Sequence, residues 1–167
     1  MLHLDTTLPT GDRVRVVPLT RGDEDTVQRV FDAMSPESRY YRFLQAMPRL
    51  SGGMRRLLAG ADGERHRAAA AWHDDRPVGI VRLVTDRDGD VELSVAVIDA
   101  YHGRGLGRML VAAALETART MGREPMVLVH GQNHRALGLF RSHGFRFTID
   151  GWALVGRIAP DRQGVAA

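Results

Sequence analysis

Tyr101-His102-Gly103-Arg104-Gly105-Leu106-Gly107-Arg108-Met109-Leu110 sets three glycines and two arginines between a segment with the period of a strand and one with the period of a helix. Upstream, Val91, Leu93, Val95 and Val97 alternate with Glu92, Ser94 and Ala96, the spacing that one buried sheet face imposes. Downstream, Leu106, Met109, Leu110, Ala113 and Met121 fall near one helical face, while Arg108, Ala112, Glu116, Arg119 and Arg123 fall on another. The glycines therefore occupy a strand-to-helix turn. Without Cβ atoms there, ligand oxygens reach successive backbone N–H groups at the positive end of the helix dipole, so the turn is predicted to hold an anion.

The spacing rejects three common phosphate loops. A P-loop and a kinase glycine loop both need a lysine, and all 23 Lys+Arg residues are arginine. The dinucleotide pattern G-x-G-x-x-G fails in both registers, since its third position is Arg108 counted from Gly103 and Leu110 counted from Gly105. What remains, His102-Gly103-Arg104-Gly105-Leu106-Gly107, resembles the acetyl-CoA signature [Q/R]-x-x-G-x-[G/A] of the GNAT N-acetyltransferases, with His102 where the family usually carries glutamine or arginine. A second segment continues the resemblance in order: Asn133, Ala136, Phe140 and Gly144-Phe145 are similar to the family run N-x-x-A-x-x-x-[Y/F]-x-x-x-G-F.

The resemblance implies a mixed, largely antiparallel α/β sheet with helices on both faces, acetyl-CoA as cosubstrate and no metal. It implies that the backbone at Val95, Ala96 and Val97 pairs with the pantetheine arm. The loop from His102 through Gly103, Arg104, Gly105, Leu106 and Gly107 to Arg108 would take the diphosphate. Asn133 would either touch the arm or cap its own helix, and Phe140 stands where many relatives use a tyrosine as general acid. Phenylalanine cannot donate, so the thiolate's proton must come from water, Ser142, His143 or another group. Ser35-Pro36-Glu37-Ser38-Arg39-Tyr40-Tyr41-Arg42-Phe43, Pro48-Arg49-Leu50-Ser51 and Gly79-Ile80-Val81-Arg82 resemble the acetyltransferase domain of bacterial protein-lysine acetyltransferases. The acceptor implied is a primary amine, either protein lysine or a small molecule, and a homodimer is a candidate assembly.

Acetyl transfer from a thioester needs a neutral amine, a donor to the carbonyl oxygen and a proton for the thiolate, but no covalent nucleophile. Glu92 is the candidate general base, ten residues before His102 on the strand that leads into the loop. Burial beside the cofactor would raise its pKa toward working pH. The competing account of Glu92 is a solvated glutamate paired with an arginine. A rival function is an acyl-CoA sensor that binds without turnover.

At 167 residues the chain is long enough for one self-sufficient core. The absence of cysteine rules out disulfides and thiolate chemistry. Formal net charge is +3, with basic and acidic residues interspersed, so no basic stripe calls for nucleic acid. The apolar runs are short and the first residues lack a signal-peptide layout, which predicts a soluble, cytoplasmic protein with no membrane contact. His130 and His134 share four-residue spacing, but Gly131-Gln132 is expected to separate a strand from a helix between them, which argues against a metal pair. His66 and His73 read as strand-end residues, Trp72 and Trp152 as core.

The predicted order is a strand over 14–19, a helix capped by Thr20-Arg21-Gly22-Asp23, a short helix opened by Ser35-Pro36-Glu37, and a helix over 53–61. A hairpin of strands 68–73 and 78–86 follows, then the Glu92 strand, the long helix, a strand over 126–129, a helix over 133–142, and strands 145–149 and 152–158. One domain over 12–159 is expected, with flexible ends at 1–11 and 160–167.

Overall fold

Four alanines in a row, Ala68 to Ala71, lie on a strand at 0–4% exposure, because small side chains let helices approach the sheet closely from both sides. The structure, a computed structural model, describes residues 2–158. Its strands are β1 (Leu4–Thr7), β2 (Arg13–Pro18), β3 (His66–His73), β4 (Arg76–Thr85), β5 (Val91–Val97), β6 (Pro125–His130), β7 (Phe145–Asp150) and β8 (Ala153–Ile158). They form one sheet in the order β1-β2-β3-β4-β5-β6-β8-β7. All neighbours are antiparallel except β5 and β6. The helices are α1 (Glu24–Asp32), α2 (Pro36–Phe43), α3 (Gly52–Leu58), α4 (Leu106–Thr120) and α5 (His134–Arg141).

β4 reads as a near-continuous apolar run and is buried from Pro77 through Leu83, as a central strand covered on both faces must be. A Cβ on Gly79 would meet Leu106 and Leu110 of α4, whereas Arg82, of opposite parity, reaches the carbonyl of Leu58 at the end of α3. α4 therefore covers one face and α3 the other. The core stripe of α4 is Leu106, Leu110, Val111, Ala114 and Ala118, each at 0%. Ser35 and Ser51 cap α2 and α3, their hydroxyls accepting from Ser38 N and Met54 N at 3.1 Å.

Three expectations need correction. The stretch 1–11, expected to be a loose lead, contains β1, which pairs with β2 and is anchored by Leu2 and Leu8 at 5% and 3% exposure; its polar Asp5-Thr6-Thr7 hid a strand that sits at the sheet edge. Asp23 does not cap α1 through its side chain but accepts from Thr20 N and Oγ1 instead. Trp152, expected in the core, is 69% exposed beside the β7–β8 turn. The expected tail 160–167 lies outside the described residues.

Gly156 of β8 sits opposite Val127 of β6 and Phe147 of β7. A Cβ there would lie 2.6 Å from Val127 Cγ2 and 2.7 Å from Phe147 Cε1. Gly156→Ala is expected to cost about 1–3 kcal/mol by overpacking, read as a lower urea midpoint at unchanged slope. An unshifted midpoint would show that the two side chains move aside freely.

Candidate active site

β5 and β6 pair in parallel only at Val91↔Pro125 and Glu92↔Met126, and beyond Glu92 the two strands part. A cleft of about 920 Å³ opens between them. Ile98 N donates to Val78 O of β4 at 3.1 Å. Because successive peptide groups point to opposite edges of a strand, the N–H and C=O of Val97 and Val95 turn away from β4 and into this opening. Ala96 turns its own toward β4. The sheet thus offers a strand edge free of strand pairing to an extended ligand, with the Val97 carbonyl held by His102 Nε2.

At the far end of the cleft the chain makes its glycine turn. A 3-10 turn over Asp99–Tyr101 leads to Gly103 at φ +75 and Gly105 at φ +89. Gly105 is the N-cap of α4 and supplies no side-chain cap, so the first-turn amides of this 15-residue helix remain for an anion. Leu106 is completely buried and, unlike Gly105 and Gly107 on either side, does not line the cleft. Arg108 is exposed on the cleft wall.

Arg104 also lines the cleft; its guanidinium lies over the Tyr101 ring at 4.8 Å and bonds Asp12 at 3.2 Å. The Tyr101 hydroxyl bonds His73 Nδ1, and burial raises its pKa. The Thr10 hydroxyl and Arg104 hold the Asp12 carboxyl below the usual range. Asp12 is therefore a fixed negative charge beside the anion site. Asp12→Asn is expected to lower the acetyl-CoA KM several-fold at low salt and less at high salt, measured by initial rates; a raised KM would show that Asp12 serves mainly to hold Arg104 in place.

At the near end, Glu92 is exposed on the cleft wall rather than buried as expected. Ser94, two residues on, accepts from Arg42 Nη2 of α2 at 2.9 Å. Burial pushes the Arg42 pKa down and the charge of Glu92 opposes this. Behind Ser94 in the β4–β5 register lies Arg82, 4% exposed, its pKa pulled down to about 9 by burial and by the Arg42 charge. Asp99 ties the two ends of the cleft together: it accepts from Ser35 N, Ser35 Oγ and Ser38 Oγ at 2.7–2.8 Å. Burial would raise its pKa, but these bonds and the nearby His102 outweigh that and leave it lowered.

The family model described as acetyltransferase (GNAT) family matches residues 27–145. The chain belongs to this family. It is 29% identical over 140 residues to an acetyltransferase of Pseudomonas aeruginosa, covering 81% of this chain and 75% of that protein. It is 36% identical over 84 residues to an uncharacterized N-acetyltransferase of Mycobacterium tuberculosis, covering 49% and 54%. Its fold is that of the GNAT domain of S. lividans PAT, with TM-score 0.88 at 24% identity over 94% of this chain and 96% of that one. The spermidine N-acetyltransferase of Vibrio cholerae, solved with CoA and spermine, matches at TM-score 0.64 and 20% identity over 86% and 92%.

GNAT membership makes acyl-CoA the cosubstrate and an amine the acceptor. The splayed strands and unfilled helix amides fit such a cosubstrate. In this GNAT chain His102, at the position where glutamine or arginine is usual, places Nε2 2.9 Å from Val97 O and bonds Arg135 through Nδ1. Arg135, 33 residues from His102 in sequence, thereby brings a guanidinium to the loop; nothing in its local pattern marks it. Asn133 lines the cleft and caps α5, accepting from Ala136 N at 3.0 Å. Phe140, on the cleft wall, is 4% exposed and packs edge-on to Phe145. Ser142 and His143 bond the Leu139 carbonyl and do not line the cleft. His130 and His134 fall on β6 and α5, on either side of a turn. Among the described residues no group of three or more His, Asp or Glu is arranged to hold a metal, and no helix is long and apolar enough to cross a membrane.

Proposed function

We propose that this GNAT acetyltransferase moves an acetyl group from acetyl-CoA to a primary amine by direct attack in a ternary complex, with Glu92 as general base. The observation that carries this is the position of Glu92: it is the last residue of β5 paired with β6, at the point where the cleft opens. The thioester arm would lie along the Val95 and Val97 backbone edge, with its diphosphate on the amides of the Gly103–Gly107 turn and Arg104, Arg108 and Arg135 around it. Gly107 lines the cleft, and a Cβ there would press on Leu139 Cδ2 at 3.3 Å.

In the reaction the amine nitrogen bonds to the thioester carbon, the C–S bond breaks, the amine proton passes to Glu92 and the thiolate takes a proton. Phe140 has none to give. Tyr101 has its hydroxyl committed to His73, which leaves Tyr41 as the phenol on the cleft wall for that step. The acceptor is a protein lysine or a small-molecule amine. Release of free CoA from acetyl-CoA, followed over a panel of amines and lysine-containing proteins, tests the reading: amine-dependent release is expected. Tight acetyl-CoA binding with no release for any amine would make the chain an acyl-CoA sensor.

A further inference from the structure

The amine end of the cleft carries more positive charge than the protein itself neutralises. Among the described residues the ion pairs are His73–Asp74, Arg104–Asp12 and Arg119–Glu116, and neither Arg42 nor Arg82 takes part. Arg42 lines the cleft beside Glu92 and spends one N–H on Ser94. Arg82 spends its Nε on the Leu58 carbonyl, and its Nη2 is buried with no partner. Ser94 and Arg82 are register partners, so Arg82 and the Arg42 that bonds Ser94 stand on one face of the sheet. Neighbouring His66 is held toward its neutral form by burial and by the Arg82 charge.

A buried guanidinium without a countercharge opposes folding; Arg82 is one, with half-buried Arg42 beside it on the cleft wall, so retaining the pair beside the reaction site calls for an anion that arrives with a ligand. Glu92 supplies one negative charge, and the proposed mechanism uses it on the amine. Asp99 is committed to Ser35 and Ser38, and Glu37 is exposed at the rim. A plain alkylamine would add a third cation to this corner. An acid group would instead fill the guanidinium fork, which matches a carboxylate in two parallel hydrogen bonds.

We infer that the acceptor is an amine bearing a carboxylate or similar oxyacid group near its reacting nitrogen, seated on Arg42 with Arg82 behind it. This rests on the acetyl-transfer reading and narrows its acceptor. The same chemistry has two sources, the α-carboxylate of a free amino acid and an acidic residue beside a lysine in a peptide.

The test compares matched acceptors in the full chain. One arm sets amino acids against the amines that lack only the carboxylate, for example lysine against cadaverine. The other sets lysine peptides with a neighbouring aspartate against the same peptides with asparagine. In one arm the acid-bearing member is expected to have a kcat/KM about tenfold or more higher, as for a site built to pair a polar group. Arg42→Gln should bring that ratio to about one, with Arg42→Lys between, at an unmoved melting temperature. The arm that responds names the source. A ratio near or below one in both arms overturns the inference, as does an Arg42→Gln variant that slows both members equally. If no amine turns over, the acetyl-transfer reading has failed separately. Calorimetry of the same acids on the acetyl-CoA-loaded Glu92→Gln protein then decides this one, by Arg42-dependent heat or its absence.

Discussion

Glu92→Gln lowers kcat by about 10²-fold, the scale of a lost general base, and leaves the acetyl-CoA KM close to the parent value. Glutamine keeps the shape and the hydrogen-bonding reach of the side chain but cannot accept a proton. Glu92 is exposed and belongs to no ion pair among the described residues, so the substitution breaks no direct contact; with its charge gone from beside Arg42 the melting temperature should fall only slightly. The deficit should also shrink as pH rises toward the pKa of the acceptor, about 10.4 for a lysine-type amine, because a neutral amine no longer needs a base. The check is a pair of pH–rate profiles. A variant that turns over at the parent rate near pH 7 removes Glu92 from the chemistry.

The sequence disclosed the cofactor end of this site far more clearly than the acceptor end, and the reason is physical. A diphosphate cradle is built from backbone, and backbone needs glycine where φ is positive, so Gly103 and Gly105 mark the proposed one in one short run. The alternation of Val91 to Val97 likewise marks a strand, but not its opening: Ala96 is buried while Val95 and Val97 are half-buried, and Glu92 through Val97 all line the cleft. The proposed acceptor recognition depends instead on groups brought together from four separate segments. Arg42 from α2, Arg82 from β4, Ser94 from β5 and the Leu58 carbonyl from α3 meet only because the sheet register and the helix docking place them so. An arginine on a helix reads as surface until its neighbours are known. Asp99 and Arg135 escaped notice for the same cause, each acting across a long sequence separation. β1 was missed because a strand at a sheet edge with polar residues carries little hydrophobic alternation.

The second large effect belongs to the turn itself. Gly105→Ala raises the acetyl-CoA KM by about 10- to 10²-fold. Two penalties combine. At φ +89 an alanine is in the left-handed region, which costs about 1–2 kcal/mol. Its Cβ would also lie 2.9 Å from Pro9 Cδ and 3.2 Å from Pro9 Cγ. The Pro9 ring cannot turn aside, since it has no free rotamer and follows Leu8, which is 3% exposed. Relief is available by rotating the Gly105 peptide out of the left-handed region, and that swings the first amides of α4 away from the diphosphate. At about 1.4 kcal/mol per tenfold, the loss stated is about 1.4–2.8 kcal/mol, of which the strain supplies about 1–2 and the Pro9 collision the rest. Gly103→Ala is the control: its φ is +75, but a Cβ there meets nothing within 4 Å, so it carries the strain without the collision and should lose less. Calorimetric titration of acetyl-CoA into both variants separates the terms. Equal losses would assign the whole effect to backbone strain and deny Pro9 any part in shaping the cradle, while an unweakened Gly105→Ala would mean that the diphosphate is held elsewhere.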